Sequence, residues 1–202
     1  MPKERYVALG DSYTIGEGVL EDERWPNRLT GRLREAGVPI DLVANPSVTG
    51  WTSAQLIEHE LPVLEASDAT FVTVLIGVND WVQGVDRDEF GDRLRTILDR
   101  IQAILPEPGR IILITIPDFS VTPEGATYSR GRDITAGIAG FNAVMLEAGQ
   151  ARGLPVVDIF SLSRTLTDPA FVGEDGLHPS GAAYDRWVDL ILPAALRLLA
   201  RA

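Results

Sequence analysis

Short apolar runs alternate with longer amphipathic segments along the 202-residue chain. Two of the runs are almost wholly aliphatic, as is typical of strands that are buried on both faces of a parallel sheet. The alternation predicts an α/β fold in which helices cover both faces of a central five-stranded parallel sheet. No repeat or linker divides the pattern, so we expect one domain over residues 1–202. The strands are predicted at 5–9, 40–44, 70–76, 110–116 and 155–160.

Helix boundaries are marked by capping residues between these runs. Trp25-Pro26 is expected to open a helix that ends at Gly37, with proline just inside the start and glycine just past the end. Thr52 and Gln55 have capping-box spacing for another helix, which Pro62 should interrupt or bend. Further helices are predicted at 86–105, at 133–152 and from 180 onwards, and a long loop is predicted at 117–131.

The composition limits the classes of partner. With 29 acidic and 18 basic residues the formal net charge is −11, which repels phosphate backbones and anionic lipid headgroups. We therefore expect no nucleic-acid partner and no stable membrane association. The chain has no cysteine and two histidines, so a thiolate site is excluded and no metal is expected. The first residues lack the apolar region of a signal peptide and no apolar run reaches about 20 residues, which predicts a cytoplasmic protein.

Polar turns that contain glycine follow several of the predicted strands. In open parallel sheets, ligands bind outside the carboxyl ends of the strands, so these turns are expected to meet at one rim. Together they supply the residue types that an acyl-transfer site requires. The turns contain Gly10-Asp11-Ser12, Gly50, Gly77-Val78-Asn79-Asp80 and Asp175-Gly176-Leu177-His178.

A serine hydroxyl is a poor nucleophile until a base removes its proton. His59 is expected in the middle of a helix, facing solvent and away from the rim, whereas His178 lies in a loop with Asp175 three residues before it. One turn can then hold a carboxylate against one ring nitrogen while the other nitrogen faces Ser12. We therefore hypothesise a catalytic triad in the chain order Ser12, Asp175, His178.

Charge that develops on the substrate oxygen needs hydrogen-bond donors that are already in place. Three candidates for this oxyanion hole are the backbone amides of Ser12 and Gly50 and the side-chain amide of Asn79. Glycine at position 50 allows the backbone to approach the substrate closely. Asp80 is expected to have a structural role, as a cap for the following helix.

These four blocks, in their order along the chain, resemble the SGNH hydrolase or GDSL esterase-lipase family. The resemblance implies a flavodoxin-like three-layer α/β/α fold and an acyl-enzyme mechanism without a cofactor. It implies Ser12 as nucleophile and oxyanion donor, Gly50 and Asn79 as the other donors, and Asp175 and His178 as the remaining triad residues. It does not fix the substrate, because members of the family act on lipids, thioesters, aryl esters and acetylated sugars.

The expected function is hydrolysis of small or medium-chain carboxylic esters, with a small-molecule ester as the partner. Acyl transfer to an alcohol and deacetylation of a carbohydrate remain alternatives, and a non-catalytic binding module is a more distant one. No Gly-x-Ser-x-Gly elbow occurs, and Glu21 breaks the dinucleotide-binding pattern after the first strand. Five aromatic side chains are predicted near the site and suit either an apolar substrate pocket or the packing of loops: Trp51, Trp81, Phe119, Tyr128 and Phe171.

Overall fold

Five parallel strands form the centre of the fold. The computed structural model describes residues 3–199. The strands are β1 (Glu4–Gly10), β2 (Ile40–Ala44), β3 (Phe71–Leu75), β4 (Ile111–Ile114) and β5 (Val156–Val157). They pair in the order β2-β1-β3-β4-β5, and each neighbouring pair is parallel. From β1 the chain adds β2 on one side of the sheet and then crosses back to add β3 on the other side. The direction of the sheet therefore reverses between β1 and β3, and the switch point where ligands bind lies at their carboxyl ends.

Helices cover both faces of this sheet, which makes the architecture the three-layer α/β/α arrangement expected from the sequence. On one face α2 (Trp25–Glu35) packs against α9 (Gly181–Leu199), and on the other α6 (Arg87–Ile104) packs against α7 (Ile134–Arg152). All residues of β3 and β4 are buried as a result, which confirms the interpretation of their aliphatic runs. Within residues 3–199, no helix combines the length and the hydropathy that crossing a membrane requires.

The shorter helices connect the sheet to the turns at its rim. They are α1 (Ser12–Ile15), α3 (Ser53–Gln55), α4 (Leu61–Glu65), α5 (Val78–Gln83) and α8 (Ile159–Ser163). A π-helical turn, Leu56–Glu60, joins α3 to α4 just before Pro62. The irregularity expected at this proline therefore takes the form of a wider helical turn, which changes the direction in which Glu60 points. The capping box of Thr52 and Gln55 is present, with the Thr52 N–H donating to Gln55 Oε1 at 2.8 Å.

Most strand ends differ from the prediction by one or two residues, and the carboxyl end of the fifth strand differs more. The predicted strand 155–160 ends at Val157, and α8 begins at Ile159. The Asp158 carboxylate accepts the Ser161 N–H at 3.0 Å, and the Thr115 hydroxyl oxygen accepts the Ile159 N–H, so the chain is capped as a helix. The strand prediction was therefore wrong at its carboxyl end, because two side-chain acceptors outweigh the strand-like composition.

The segment from Gly77 to Asp80 was expected to be a turn, but only Gly77 lies outside a helix. Gly77 adopts a φ of 123°, and α5 begins at the next residue. Asn79 and Asp80 consequently lie on the first turn of a helix, and two residues separate this helix from the end of β3. The side chains are thereby held on a regular element close to the switch point.

Candidate active site

The Ser12 turn follows β1 directly and leaves no room for a side chain at its first residue. A Cβ on Gly10 would lie 2.3 Å from the Leu75 carbonyl oxygen and 2.3 Å from Thr14 Oγ1, so glycine is required there. The Gly10 N–H donates to Glu60 Oε2 at 2.9 Å, and the Tyr13 N–H donates to Asp11 Oδ1 at 3.1 Å. Ser12 is the first residue of α1, and these bonds hold its backbone on both sides.

The second element is the turn that carries Asp175 and His178. Asp175 Oδ2 lies 2.5 Å from His178 Nδ1, and Asp175 Oδ1 accepts the backbone N–H groups of Leu177 and His178 at 2.9 Å each. Partial burial raises the pKa of Asp175, but the hydrogen bonds from the imidazole and the two amides outweigh it and hold the pKa below its ordinary value. The carboxylate is therefore ionised and oriented against Nδ1, which leaves Nε2 for another partner. The Tyr13 ring meets the imidazole edge-on at a centroid distance of 5.8 Å.

The third element consists of the candidate oxyanion donors. Gly50 has a φ of 86°, a conformation that residues with a side chain rarely adopt. Asn79 Nδ2 donates to the Trp51 carbonyl oxygen at 2.9 Å, which fixes the direction of the amide and leaves its second N–H available. Within the described chain, the N–H groups of Ser12 and Gly50 donate to no other protein group.

Asp80 has a structural role, but a different one from the helix cap expected. Its carboxylate is fully buried and accepts the Ser53 N–H at 2.8 Å and the Ser53 hydroxyl at 2.5 Å. Arg93 Nη1 lies 3.2 Å from Asp80 Oδ1 and compensates the charge. Asp80 therefore ties α5 to α3 and α6, and Asp86 caps α6 by accepting the Glu89 N–H at 2.8 Å.

A single cavity of about 160 Å³ brings the candidate residues together. Ser12, Gly50, Asn79 and His178 all line it. No hydrogen bond joins Ser12 Oγ to the His178 ring in this structure, and such catalytic contacts commonly tighten only when substrate binds. The rest of the wall is mostly apolar, and it includes Tyr13, Thr49, Val78, Val82, Phe119, Tyr128 and Leu177.

The five predicted aromatic residues do not share one position. Tyr128 lines the cavity beside Ser12, Phe171 lines a smaller cavity of about 40 Å³ that His178 also borders, and Phe119 lines both. The rings of Trp51 and Trp81 line neither cavity. Trp51 packs on His59 at a centroid distance of 5.1 Å, so His59 lies closer to the rim than expected. Trp81 is buried between Phe119 and the guanidinium of Arg132, which lies 4.0 Å from the centroid of the indole.

Three features near the site escaped the sequence analysis. Tyr13 borders both cavities, and Glu60 holds the Gly10 amide from an element 50 residues away. The loop 117–131 is attached to several neighbouring segments: the Asp118 N–H donates to Ser163 Oγ, the Thr135 hydroxyl donates to Asp118 Oδ2, and the Glu124 N–H donates to the Gly176 carbonyl oxygen. The adjacency of Tyr13 to Ser12 was a usable signal. The other contacts are tertiary and have no local pattern.

No group of three or more His, Asp or Glu side chains within residues 3–199 is arranged to hold a metal ion. The groups at the cavity are a hydroxyl, an imidazole, an amide and backbone N–H donors. Such groups suit a reaction that removes a proton from a hydroxyl and stabilises a developing oxyanion.

Comparison with known proteins agrees with this geometry. Residues 8–186 match the model of the GDSL-like lipase/acylhydrolase family. The chain is 25% identical to thioesterase 1/protease 1/lysophospholipase L1 of Escherichia coli over 174 residues, which are 86% of this chain and 74% of the relative. It is 26% identical to an arylesterase of Vibrio mimicus over 183 residues, 89% of this chain and 82% of the relative.

The fold is also similar to solved structures. The crystal structure of TesA superimposes with a TM-score of 0.77 at 24% sequence identity, covering 97% of this chain and 99% of that chain. The chain thus belongs to the GDSL-like lipase/acylhydrolase family and is a serine hydrolase that acts on ester bonds.

Proposed function

We propose that Ser12 is the nucleophile, that His178 is the general base, and that Asp175 orients and stabilises the imidazole. The observation that carries this proposal is that Ser12 and His178 line one cavity while Asp175 is hydrogen-bonded to the opposite ring nitrogen. His178 Nε2 removes the proton from Ser12 Oγ as this oxygen attacks the ester carbonyl. The imidazolium then donates the proton to the leaving alcohol, and an acyl-enzyme remains on Ser12.

The N–H groups of Ser12 and Gly50 and the second N–H of Asn79 stabilise the oxyanion in both halves of the reaction. Each is a neutral donor that is fixed before the charge develops, so no reorganisation is needed in the transition state. Water, deprotonated by His178, then attacks the acyl-enzyme, and the proton returns to Ser12 as the acid leaves.

The dimensions of the cavity support small and medium-chain acyl groups as the substrates. A cavity of about 160 Å³ with walls from Val78, Val82, Phe119 and Tyr128 accommodates a short acyl chain and is small compared with the sites that enclose drug-sized ligands. Trp81 contributes indirectly, since its ring packs edge-on against Phe119 at 5.8 Å. Trp51 contributes its carbonyl oxygen, which orients Asn79, rather than its ring.

The test is hydrolysis of p-nitrophenyl esters from acetate to laurate by the wild type and by Ser12→Ala. We expect Ser12→Ala to lower kcat by a factor on the order of 10⁴ or more with every ester. For the wild type we expect kcat/KM to be highest with short and medium chains. Full activity of a folded Ser12→Ala protein would contradict the nucleophile assignment, whereas a maximum at laurate would contradict only the substrate class.

Acyl transfer is distinguished from hydrolysis by the products. We expect the free acid to predominate when a short-chain alcohol is added to the reaction. Predominant formation of the new ester would identify the chain as an acyltransferase that uses the same acyl-enzyme.

A further inference from the structure

A group of buried polar side chains lies beneath the Ser12 turn. Five of their atoms have no hydrogen-bond partner within the described chain, although few buried polar atoms in native proteins lack one. Asn45 Nδ2 donates to the Thr14 carbonyl oxygen, Thr14 lies against Gly10, and Gly10 donates to Glu60, so the members are neighbours. We call this group the buried polar cluster, and its unpartnered atoms are Asp11 Oδ2, Thr14 Oγ1, Asn45 Oδ1, Ser47 Oγ and Glu60 Oε1.

Neutral groups supply the hydrogen-bond donors of the buried polar cluster. The Thr14 and Ser47 hydroxyls each carry one hydrogen, and so does the Tyr184 hydroxyl, which is also buried without a partner among the described residues and faces Asp11. These donors bring no positive charge, so two ionised carboxylates would leave two negative charges buried without a counter-ion in the cluster. One proton on either carboxyl removes one of these charges.

The charges around the two carboxyls act in the same direction. Asp11 and Glu60 are both fully buried, and within residues 3–199 neither forms an ion pair. Asp80 also faces Asp11, and the Arg93 side chain beside it is already paired with Asp80. The remaining titratable groups that face Asp11 are the buried phenols of Tyr13 and Tyr184, which are neutral donors or acceptors.

The expected titration behaviour follows from this environment. Burial raises the pKa of Asp11 to about 8, against the hydrogen bond from the Tyr13 amide and with a further rise from the negative charge of Asp80. Burial likewise raises the pKa of Glu60 to about 8, with a further rise from the negative charge of Asp11, whereas the Gly10 amide and the nearby Ser47 hydroxyl lower it. Two adjacent carboxyls titrate as a pair, so the pair takes up protons well above the range of an exposed acid.

We propose that Asp11 and Glu60 form a buried carboxyl pair that retains a proton at neutral pH and thereby positions the Gly10–Ser12 turn. Glu60 acts on the reaction through its hydrogen bond to Gly10, and Asp11 acts through its hydrogen bond to Tyr13. Both are positioning residues, since neither lines the cavity beside Ser12. The positioning role rests on the proposed role of Ser12, whereas the retained proton does not.

Loss of the retained proton should change the stability of the fold in a direction that can be tested. The unfolded chain releases the protons of both carboxyls near pH 4, and the folded protein releases them near pH 8. Between these values the folded state binds more protons, so stability falls as pH rises, and the full penalty is reached above about pH 8. The negative charge that this proton release buries beneath the turn should also displace it, and kcat should therefore decrease on the alkaline side.

The test compares Glu60→Gln with the wild type and with Glu58→Gln. Glutamine at 60 keeps an acceptor for the Gly10 N–H and cannot carry a negative charge, whereas Glu58 has a side chain that is 72% exposed and serves as the matched control. Between pH 5 and pH 9 we expect the urea midpoint of the wild type and of Glu58→Gln to fall in parallel, and that of Glu60→Gln to fall by less than half as much. The alkaline decrease in kcat should be absent in Glu60→Gln.

Asp11→Asn is a second variant in case Glu60→Gln does not fold, because its carbonyl oxygen still accepts the Tyr13 N–H. The infrared absorption of a protonated carboxyl, measured in the wild type at pH 7, needs no variant. We expect this band at pH 7 and its loss above pH 9. Absence of the band at pH 7, or equal pH dependence of the urea midpoint in all proteins, would overturn the retained proton.

Ser12→Ala separates this proposal from the proposed function. Its urea midpoint should show the same pH dependence as the wild type, since the buried polar cluster is unchanged. If Ser12→Ala abolishes activity but the wild type shows no protonated carboxyl, the proposed function stands and the proposed carboxyl pair is contradicted. A normal kcat above pH 9, with the protonated band lost, would contradict the positioning role alone.

Discussion

Carboxyl groups flank Ser12 in two regions of opposite character. Asp175 lies at the rim, where the imidazole and two amides donate to it, and its pKa lies below the ordinary value. Asp11 and Glu60 lie beneath the turn, where burial raises the pKa of each to about 8. The difference shows that burial and the number of donors, rather than residue type, decide whether a carboxyl is charged. A charged carboxylate suits a partner that must become an imidazolium, and a neutral carboxyl suits a buried support.

The largest expected effect is a difference in kcat between carboxyl-to-amide variants of the two regions. Asp175→Asn should lower kcat by a factor of about 10⁴, because the amide cannot stabilise the imidazolium and favours the wrong tautomer. Asp11→Asn should lower kcat at pH 7 much less, because Asp11 does not contact the imidazole and the asparagine oxygen still accepts the Tyr13 N–H. Hydrolysis of p-nitrophenyl acetate measures both, with exposed Glu174→Gln as the control. Equal losses in the two variants would remove the distinction between the regions.

A smaller loss is expected on the opposite side of the cavity. Asn79→Ala should lower kcat by about 10²–10³ with a smaller change in KM, since its amide contributes mainly when the oxyanion forms. Steady-state kinetics measure the effect, and Gln83→Ala removes an exposed amide from the same helix as a control. A rise in KM with unchanged kcat would instead assign Asn79 to ground-state binding.

The tight packing of the Ser12 turn predicts a loss of stability on Gly10→Ala. The added Cβ meets the Leu75 carbonyl oxygen and Thr14 Oγ1 at 2.3 Å, and overpacking of this kind costs about 1–3 kcal/mol in the free energy of unfolding. Gly31→Ala is the control, because nothing lies within 4 Å of a Cβ there and alanine favours a helix interior. Equal free energies of unfolding for Gly10→Ala and Gly31→Ala, measured in urea, would instead show that the turn accommodates the added Cβ at little cost.

Truncation of a side chain in the apolar wall of the cavity should change the preference between acyl chains a few-fold. Tyr128→Ala should change the ratio of kcat/KM for octanoate to that for acetate, because the ring lines the cavity and one or two methylene contacts each contribute about 1 kcal/mol or less. Trp51→Ala should leave the ratio unchanged, because its ring packs on His59 instead. A change in the ratio only for Trp51→Ala would contradict this description of the wall.

The smallest expected effect is on the pH dependence of stability, which has opposite signs in the two regions. Asp175 has a lowered pKa, so its contribution is present above the unfolded value of about 3.9 and is lost as the pH falls through the folded value. Asp11 and Glu60 act with the opposite sign and weaken the fold as the pH rises. Asp175→Asn should therefore reduce the acid-side loss slightly, since 42% of its side chain is exposed and the charge is screened. Urea midpoints between pH 2.5 and pH 6 measure this difference, and an unchanged acid limb would contradict it.

Much of the fold followed from the sequence because the buried strand β4 is wholly apolar, β3 is apolar except for Thr73, and the helix caps are local. The position of the polar turns followed too, since the ends of parallel strands meet at one edge. The end of β5 did not, because the Thr115 hydroxyl that accepts the Ile159 N–H lies just after β4, more than 40 residues earlier in the chain. The orientation of the Trp81 ring and the burial of Glu60 also depend on contacts between distant segments. Cytoplasmic location stays a prediction.

Covalent labelling tests the central claim, that Ser12 is the nucleophile, most directly. Diethyl p-nitrophenyl phosphate transfers a diethylphosphoryl group to an activated serine and releases p-nitrophenol. Incubation of the wild type, digestion and mass spectrometry should locate one adduct, on the peptide that contains Ser12, in step with the loss of esterase activity. The same treatment of His178→Ala should give no adduct on that time scale. An adduct on any other residue that accompanies inactivation, with Ser12 unmodified, would contradict the account.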